Sequence, residues 1–528
     1  MTLETKIYNV ALNEGVDYDA FWNEIESNNI GTEFVPTRAV TIANERLTSL
    51  RQCWYELTDT EAETLRKDPR VFCVEIPPEH RTDIKIVHCA SFTGTYSKTS
   101  GTPNSNWVNW GLFRTNSSTN NTPNSSGTLS YDYPLDGTGV DVVIQDSGLQ
   151  IDHPEFTDAN GVSRVQQIDW YAASGVTGTM PSFSEFYSDY DGHGTHVGGI
   201  AAGKTYGRAK NSNIYVMTIG DLVSSPTVGI SITDCFDCIK GWHLNKPVDP
   251  TTGYKRPTVV NMSWSTINTF SSIKSITYQG YIYNNPTSSQ KSTYGLIGAY
   301  SPQYGANVFG YRVPSIEVDV AELLDAGVVL VGAAGNFYQT NDVSTGPDYN
   351  NFFTKTDDTT HYYMRGGTPG NCSGVICVGA VDAYTNMGQE QKLAYSDSGP
   401  RVDVYAPGTF IVSSMSTANK GYYTNTYPYD SNYLIANVSG TSMASPQIVG
   451  IVAQLLQVYP TATPAQIRQK IIDMSVSDLL YTTGYTYDYS NSTSLHGSPN
   501  RYAFQAFNTN ASSGVSGPVA LNNIKIPS

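Results

Sequence analysis

Short apolar runs rich in β-branched residues, each leading to a polar side chain, constrain the fold of this chain more than any other feature. Residues 141–145 (DVVIQ) are followed by Asp146, and residues 328–331 (VVLV) lead through small residues to Asn336. Such runs are typical of strands in a parallel sheet that is buried on both faces. Polar groups that follow these strands meet at the carboxyl edge of the sheet, where open α/β folds build their sites. The pattern therefore predicts an α/β fold with a functional site at that edge.

A serine at the start of a predicted helix is the candidate nucleophile. Ser442 lies in the segment 440–446 (GTSMASP), and the apolar, small-residue run 448–458 that follows predicts a buried helix. The free N–H groups and the dipole of a helix N-terminus favour negative charge beside this serine, and Gly440 lets a substrate backbone approach closely. An acyl-transfer nucleophile needs this environment together with a base, an orienting carboxylate and a second oxyanion donor.

The other groups of such a site lie upstream of the serine. His193 stands between two glycines at the start of a small-residue helix and is the candidate general base. Asp146 is the candidate orienting carboxylate, and the Asn336 amide is the candidate donor to an oxyanion. Each residue alone has an ordinary interpretation as a cap, a turn or a loop residue. Together, in the order Asp, His, Ser that subtilisin has, they predict a catalytic site.

The motifs of residues 141–502 resemble those of the subtilisin family of serine proteases. Segment 204–210 (KTYGRAK) is similar to the proteinase K branch of that family. The segments that carry the family resemblance are 146–148 (DSG), 193–196 (HGTH), 261–263 (NMS), 334–336 (AGN) and 440–446 (GTSMASP).

The resemblance implies a fold, an activity and a set of functional residues. The fold class is α/β, a subtilisin-like three-layer fold with a mainly parallel central sheet. The activity is that of a serine endopeptidase that acts on protein or peptide substrates through an acyl-enzyme, with no cofactor required for catalysis. The implied catalytic residues are the triad Asp146, His193 and Ser442 and the oxyanion-hole residue Asn336.

The pocket for the side chain before the scissile bond departs from the family pattern. Where family members usually have a small apolar residue and a glycine, this chain has Trp264 and Ser265. An indole and a serine β-carbon would narrow the cleft, so the broad apolar specificity of the family is in doubt here. The predicted substrate-binding residues are Ser263, Trp264, Ser265, Ala333, Ala334 and Gly335.

Residues 1–80 are predicted to form a propeptide-like domain. Strand, helix, strands, helix and strand follow one another, with a capping-box sequence at 58–61 (TDTE), and this order predicts a ferredoxin-like α+β unit. Its position resembles that of the family's propeptide, which assists folding and then acts as an intramolecular inhibitor. We therefore expect a self-processing zymogen that is cleaved between Pro77 and Asn106. The alternative is an ordinary accessory domain.

Composition divides the rest of the chain. Residues 81–130 are rich in Ser, Thr, Asn, Gly and Pro and predict a linker, with the catalytic arm beginning near residue 106. The catalytic domain is expected at 131–506, with an insertion at 266–315, and 507–528 form a polar tail. Two interpretations of the insertion stay open. It forms a lid or a docking surface, or it is a solvated excursion without a role in catalysis. Contacts in an assembly are expected through the insertion and the tail.

Charge and hydropathy exclude some classes of partner. A formal net charge of −16 repels phosphate backbones and anionic lipids, so neither nucleic acid nor a membrane is an expected partner. No apolar run approaches the length of a transmembrane helix, and the first residues lack the basic start and apolar run of a secretory signal. We expect an extracellular or virion-associated protein without a recognisable signal peptide in this sequence.

No metal is assigned from the sequence. Cys235 and Cys238 lack the second pair of a zinc ribbon, and His193 and His196 lack the glutamate of the metalloprotease motif. Seven cysteines leave at least one unpaired, and buried thiols or local disulfides are the preferred interpretation. Structural calcium is common in the resembled family and stays open. Glu155 stands where some members have a carboxylate ligand, but the loop that completes the site is shortened to residues 202–205.

The competing hypothesis is a subtilisin-like fold kept as a catalytically latent or non-catalytic component of a virus particle or another assembly. The missing signal, the insertion rich in Tyr, Ser and Asn, and the polar tail motivate this hypothesis. The complete set of catalytic groups argues against it and favours the enzyme.

Overall fold

The computed structural model divides the chain into two compact units, Met1–His88 and Cys89–Ser528. The predicted tail 507–528, and most of the segment in which processing is predicted, lie outside the described residues. The domain boundaries proposed at residues 80, 130 and 506 remain predictions. The structure describes residues 4–13, 15–27, 33–44, 51–77, 90–96, 108–119, 127–222, 228–250, 252–302, 305–386, 389–482 and 494–505.

The N-terminal unit has the predicted ferredoxin-like arrangement. Its elements are β1 (Lys6–Leu12), α1 (Tyr18–Glu26), β2 (Thr41–Asn44), β3 (Gln52–Leu57), α2 (Asp59–Leu65) and β4 (Val71–Glu75). The strands form one antiparallel sheet in the order β2-β3-β1-β4. The predicted capping box, in which Thr58 and Glu61 satisfy each other's backbone N–H groups, begins α2. The unit has an apolar core of its own, whose wholly buried members include Phe21, Ile25, Tyr55, Leu57 and Leu65.

The second unit begins with a short arm in the region whose composition predicts a linker. Its elements are β5 (Ala90–Tyr96), α3 (Trp110–Arg114) and β6 (Gly127–Tyr133). β5 and β6 pair antiparallel, so two strands lie where composition alone predicts none. α3 is buried, and Arg114 forms a wholly buried ion pair with Glu390 at 2.6 Å. The arm is therefore fixed to the core that follows it.

The remaining elements build the α/β core, the insertion and a C-terminal segment. Short 3₁₀ turns lie at Pro154–Phe156, Gly220–Leu222 and Thr417–Asn419. The helices and strands are β7 (Asp141–Asp146), α4 (Trp170–Ser174), α5 (Phe183–Phe186), α6 (His193–Ala202), β8 (Asn213–Thr218), α7 (Ile232–Asn245), β9 (Thr258–Met262), β10 (Ile267–Phe270), β11 (Ile273–Tyr278), β12 (Tyr281–Asn284), α8 (Ser288–Thr293), β13 (Ala299–Ser301), β14 (Ala306–Gly310), α9 (Pro314–Asp325), β15 (Val329–Ala333), β16 (Phe352–Lys355), β17 (Thr360–Tyr362), β18 (Ile376–Asn386), β19 (Gln389–Lys392), β20 (Val404–Pro407), β21 (Ile411–Met415), β22 (Thr426–Tyr427), β23 (Asp430–Val438), α10 (Thr441–Val458), α11 (Pro464–Met474), β24 (Val476–Ser477), β25 (Leu480–Tyr481) and β26 (Arg501–Tyr502).

The central sheet is mainly parallel. Its main path runs β24-β26-β20-β18-β15-β9-β7-β8, and all neighbours from β20 to β8 are parallel. Every residue of β7, β9 and β15 is buried, as their apolar runs predict. α10 packs on the sheet and against α6, while α7 packs between α4 and α9. The three-layer α/β fold expected from the sequence is thereby confirmed. Within the described ranges, no helix has the length and apolar character needed to cross a bilayer.

The insertion predicted at 266–315 is folded. β10, β14 and β13 form one small sheet, while β12 and β11 join β16 and β17, which follow the core strand β15. Side chains from both segments share one apolar cluster, which includes Phe270, Ile276, Phe309 and Phe353. The insertion is thus built around an apolar core and is not a solvated excursion.

Candidate active site

Three neighbouring strands deliver the predicted polar residues to one edge of the sheet. β15, β9 and β7 are adjacent, and their carboxyl ends lie at the same edge because they are parallel. The register pairs Ile144 with Asn261, which places Asp146 and Ser263, two residues further on, side by side. Neighbouring strands lie about 4.8 Å apart, so the side chains that bind Asp146 and those that bind Ser263 can lie close together. Asn336 follows β15 at the same edge.

The imidazole of His193, the first residue of α6, is paired with Asp146. The distance between His193 Nδ1 and Asp146 Oδ1 is 2.7 Å, and the aspartate side chain is only 1% exposed. Burial opposes the charged imidazolium, but the Asp146 carboxylate attracts it and accepts its hydrogen bond. The net effect raises the pKa of His193 to about 9. Because Nδ1 faces the carboxylate, Nε2 is the nitrogen that is left to accept a proton.

A second buried carboxylate, which sequence reasoning missed, holds the helix start that carries His193. Asp189 accepts hydrogen bonds from the Gly192 N–H at 2.8 Å and from the Thr195 N–H and hydroxyl at 2.8 and 2.6 Å. It also accepts from the Ser147 hydroxyl at 3.0 Å, which ties α6 to the end of β7. The available signal, an aspartate shortly before a helix start, is common to helix caps without any catalytic role.

Ser442 is the second residue of α10, at the predicted helix start. Its hydroxyl donates to the Ser263 carbonyl oxygen at 3.0 Å, and the Ser263 hydroxyl donates to the Ser442 carbonyl oxygen at 2.9 Å. Asn261 Nδ2 donates to the Ser263 hydroxyl at 3.0 Å, and the Ser445 hydroxyl donates to Asn261 Oδ1 at 3.2 Å. The start of α10 is therefore fixed to the end of β9, next to the strand that ends at Asp146.

The Asn336 amide is oriented by the first residue of α10. Its Oδ1 accepts hydrogen bonds from the N–H and the hydroxyl of Thr441, both at 3.0 Å. A β-carbon placed on Gly440 would lie 3.3 Å from Asn336 Nδ2, so the NH₂ group faces the chain just before Ser442. The amide thus presents its donor to the segment that leads into Ser442, which makes it a candidate oxyanion donor.

The predicted cleft segments 263–265 and 333–335 lie against a third segment, a loop that contains Gly367 and Gly370. Ser263, Ala333, Ala334 and Gly335 are buried at the ends of β9 and β15. The third loop packs closely on both segments, since an added β-carbon at Gly370 would lie 2.1 Å from the Ala333 carbonyl oxygen. The loop residues that make this approach are Gly367 and Gly370.

Ser265, and not Trp264, narrows this space. A β-carbon placed on Gly367 would lie 2.0 Å from Ser265 Oγ, so the serine hydroxyl rests directly against the glycine. The Trp264 indole is 8% exposed and belongs to the main apolar core, with its ring centroid 6.3 Å from that of Phe236. The predicted narrowing of the cleft by the indole is therefore corrected, because the apolar ring is buried in the core behind β9.

The surroundings of Glu155 do not fit a calcium site. Its Oε2 accepts the N–H groups of Thr205 and Tyr206 at 2.9 and 3.2 Å, and its Oε1 accepts the Tyr427 hydroxyl at 2.8 Å. The carbonyl oxygens of residues 204 and 205 accept the Lys210 ammonium at 2.9 and 3.3 Å. Hydrogen-bond donors and an ammonium group thus occupy the oxygens that calcium would need.

His196 and Cys238, considered as metal ligands in the sequence, are buried side chains. Within the part of the chain that the structure describes, no three His, Cys, Asp or Glu side chains are grouped as metal ligands. Burial lowers the pKa of His196 to about 3, and its Nε2 lies 3.1 Å from the Ala436 carbonyl oxygen. Cys238, Cys372 and Cys377 are buried thiols. His196 is therefore a neutral core residue beside the site.

Comparisons with known proteins identify the family that this chain matches. A family model described as "Peptidase_S8: Subtilase family" matches residues 137–504. The chain is 26% identical over 402 residues to a cuticle-degrading serine protease of Arthrobotrys oligospora, covering 75% of this chain and 68% of the relative. It is 26% identical over 436 residues to an extracellular serine proteinase of Thermus sp., covering 83% and 73%. Among solved structures, a cold adapted subtilisin-like serine proteinase matches with a TM-score of 0.45 at 20% identity, covering 76% of this chain and 98% of that one.

Proposed function

Because the chain belongs to the subtilase family of serine proteases, we propose that it is an endopeptidase that forms an acyl-enzyme on Ser442. One observation carries the proposal: two oriented pairs lie at the carboxyl ends of β7 and β15, the two strands that flank β9. Asp146 holds His193 at 2.7 Å, and Thr441 holds Asn336 beside the serine at 3.0 Å. Protein and peptide substrates follow from the family.

The proposed reaction begins with proton transfer to His193. Ser442 Oγ leaves the Ser263 carbonyl oxygen and attacks the substrate carbonyl carbon while Nε2 of neutral His193 takes its proton. The same nitrogen then protonates the leaving amine as the tetrahedral intermediate collapses to the acyl-enzyme. Water attacks the ester with His193 again as the base. Asp146 keeps the imidazole in one orientation and stabilises its charged form.

The oxyanion of the tetrahedral intermediate is stabilised by two donors. One is Asn336 Nδ2, and the other is the backbone N–H of Ser442 at the start of α10. The Asn336 donor is oriented before substrate binds because its Oδ1 already accepts hydrogen bonds from Thr441, and the Ser442 N–H belongs to the backbone of α10. The gain is greatest in the transition state, where the negative charge develops.

We further propose that Ser265 restricts the side chain before the scissile bond to small residues. The support is the contact of the Ser265 hydroxyl with Gly367. This hydroxyl fills space between the segment after β9 and the loop that contains Gly367. A pocket that loses the volume of one or two methylene groups discriminates by roughly 10- to 200-fold between small and large side chains.

The N-terminal unit is proposed to be a propeptide that inhibits the enzyme until the enzyme removes it. The support is that this unit has an independent ferredoxin-like fold with its own core and precedes the catalytic unit in the chain. Cleavage by Ser442 between Pro77 and Asn106 would then release the mature protease. We place the mature protein outside the cell, as the name of the Thermus relative states for that protein.

A component of a virus particle or another assembly is the competing proposal. It is favoured by large side chains that the insertion leaves in solvent, since Tyr281, Ile282 and Tyr300 are 72%, 65% and 66% exposed. The oriented catalytic groups described above favour the enzyme.

The experiment that tests the proposed function compares three proteins on a denatured protein substrate and a mixed peptide library. Wild type is expected to cleave internal peptide bonds, and Ser442→Ala is expected to lose activity by about 10⁶-fold. Ser439→Ala is the matched control, because Ser439 lies three residues away and only accepts the Phe410 N–H at 2.9 Å. N-terminal sequencing tests processing: wild type should begin between residues 77 and 106, and Ser442→Ala should keep its full length. Equal cleavage by wild type and Ser442→Ala would refute the proposal.

A further inference from the structure

The turn that carries Asn336 is folded around a carboxylate from a distant part of the chain. Asp397 lies between β19 and β20 and is wholly buried. Its Oδ1 accepts the backbone N–H groups of Phe337 and Gln339 at 2.8 and 2.9 Å. Phe337 follows Asn336 directly and Gln339 is the third residue after it, so one oxygen atom fixes the direction of the chain as it leaves Asn336.

Backbone hydrogen bonds from Asp397 and Ser398 also fix the turn that carries Asn336. The Asp397 N–H donates to the Gly335 carbonyl oxygen, and the Ser398 N–H donates to the Gln339 carbonyl oxygen, both at 2.9 Å. Asn336 therefore lies between two residues, Gly335 and Phe337, that are each hydrogen-bonded to Asp397.

The Asp397 carboxylate packs tightly against the turn that carries Asn336. A β-carbon at Gly335 would lie 2.3 Å from Asp397 Oδ2, and Gly335 has φ of +120°, a conformation that side-chain-bearing residues rarely adopt. Asn341 Nδ2 reaches the same oxygen at 3.3 Å. Glycine at 335 thus meets both a steric and a conformational requirement that the carboxylate and the turn impose together.

Burial and the hydrogen-bond donors act in opposite directions on the charge of Asp397. Burial raises the pKa of Asp397 to about 7, while its backbone and Asn341 donors and the positive charge of Lys392 oppose this rise. Lys392 is 1% exposed and donates to the carbonyl oxygens of residues 393, 394 and 396, in the segment that leads to Asp397. A buried carboxylate with several donors binds them more strongly than a neutral acceptor would.

We propose that Asp397 is a positioning residue for the oxyanion amide, which it acts on through the backbone of residues 335–339. Asn336 is then held at two points: Thr441 fixes the side-chain Oδ1, and Asp397 fixes the backbone on both sides. This inference rests on the proposed function, because it concerns the donor that stabilises the tetrahedral intermediate.

Asp397→Asn tests the inference, since it keeps the size of the side chain and removes its charge. The variant is expected to lower kcat about tenfold and to leave KM nearly unchanged, because the oxyanion exists only in the transition state and intermediate. Asn336→Ala is expected to lower kcat by about 10²–10³-fold. In the Asn336→Ala background, Asp397→Asn should cause no further loss, because the group that it positions is gone.

Asp403→Asn is the matched control. Asp403 is also buried and lies six residues further along, but it accepts from the Cys377 N–H and from Arg401 and Arg468 instead of the Asn336 turn. The Asp403→Asn variant should have a lower melting temperature than wild type but an unchanged kcat when folded. Should Asp397→Asn not fold, the same cycle is run with Asp397→Glu, which keeps the charge but displaces it by one methylene group.

Three results would overturn the inference. They are an unchanged kcat in the folded Asp397 variant, a loss confined to KM, and losses that multiply in the double variant with Asn336→Ala. Failure of the proposed function gives a different result, since wild type would then not cleave the substrates at all, or Ser442→Ala would cleave them as well as wild type, whatever residue stands at 397.

Discussion

The two halves of the site reach their geometry in different ways. The proton-transfer half, Asp146 and His193, is a direct contact between side chains, and Asp189 supports it from the helix start. The oxyanion half, Asn336 and the start of α10, depends on a turn whose backbone winds around Asp397. We therefore expect a change in the Asp146–His193 pair to disturb the first half directly, and a change at Asp397, which contacts only the backbone beside Asn336, to disturb the second half.

The largest expected effect comes from breaking the proton-transfer half. His193→Ala should lower kcat by about 10⁶-fold, as loss of Ser442 does, because the two act as one unit. Asp146→Asn should cost about 10⁴-fold, since it leaves a side chain at Nδ1 but favours the wrong tautomer. Single-turnover kinetics on one peptide substrate measure both. An effect of Asp146→Asn below tenfold would mean that the 2.7 Å contact does not orient the base.

The next effect comes from the oxyanion half. Asn336→Ala should lower kcat by about 10²–10³-fold with KM nearly unchanged, because its Nδ2 donor acts on charge that develops after binding. Asn419→Ala is the control, since Asn419 is an amide that donates to the Asp191 carbonyl oxygen near His193 and does not reach α10. Equal losses in the two variants would contradict the distinction between the halves.

The pH dependence separates the halves because only His193 titrates as the base. The imidazole accepts a proton only when neutral, and its pKa is raised to about 9, so kcat/KM should fall about tenfold for each pH unit from that pKa down to about 7, the pKa of Asp397. Asp146→Asn should move the midpoint to lower pH, whereas Asn336→Ala should leave it in place. A wild-type midpoint at or below 6.5, the ordinary value for histidine, would contradict the effect of Asp146.

The raised pKa of His193 also makes the free energy of unfolding depend on pH. The pKa of His193 is higher in the folded protein than in the unfolded chain, so its contribution is fully present below about 6.5. This contribution is lost as the pH rises through about 9.

The smallest expected effect lies in the cleft beside the oxyanion half. Ser265→Gly should raise kcat/KM for peptides with Phe before the scissile bond by about tenfold relative to peptides with Ala, because it frees the space against Gly367. Ser265→Ala, which removes the hydroxyl but keeps the β-carbon, should raise this ratio by a smaller factor. A Phe-to-Ala preference that is the same in all three proteins would show that Ser265 does not limit the pocket.

The sequence alone predicts the residues that end strands or begin helices. Asp146 and Asn336 follow apolar runs that had to be buried strands, and His193 and Ser442 stand at glycine-flanked starts of small-residue helices. The ferredoxin-like unit was predictable in the same way, because alternation, helical spacing and the capping box at Thr58 agree.

The supports of these residues could not be predicted, because their partners are distant in the chain. Asp397 reaches the Asn336 turn from a loop 61 residues later, and nothing in its local sequence distinguishes it from a surface aspartate. The position of Trp264 also depends on tertiary packing, since the chain turns after β9 and the indole enters the core. The insertion was ambiguous because its second small sheet is completed by β16 and β17, which lie beyond the inserted segment.

Labelling with a serine-reactive fluorophosphonate, followed by mass spectrometry of the modified peptide, tests most directly whether Ser442 is an activated nucleophile. Wild type freed of its N-terminal unit should carry one adduct, on Ser442, and His193→Ala should label far more slowly. An intact, folded protein that is not labelled with or without its N-terminal unit, or that is labelled at another serine with Ser442→Ala behaving like wild type, would contradict the assignment.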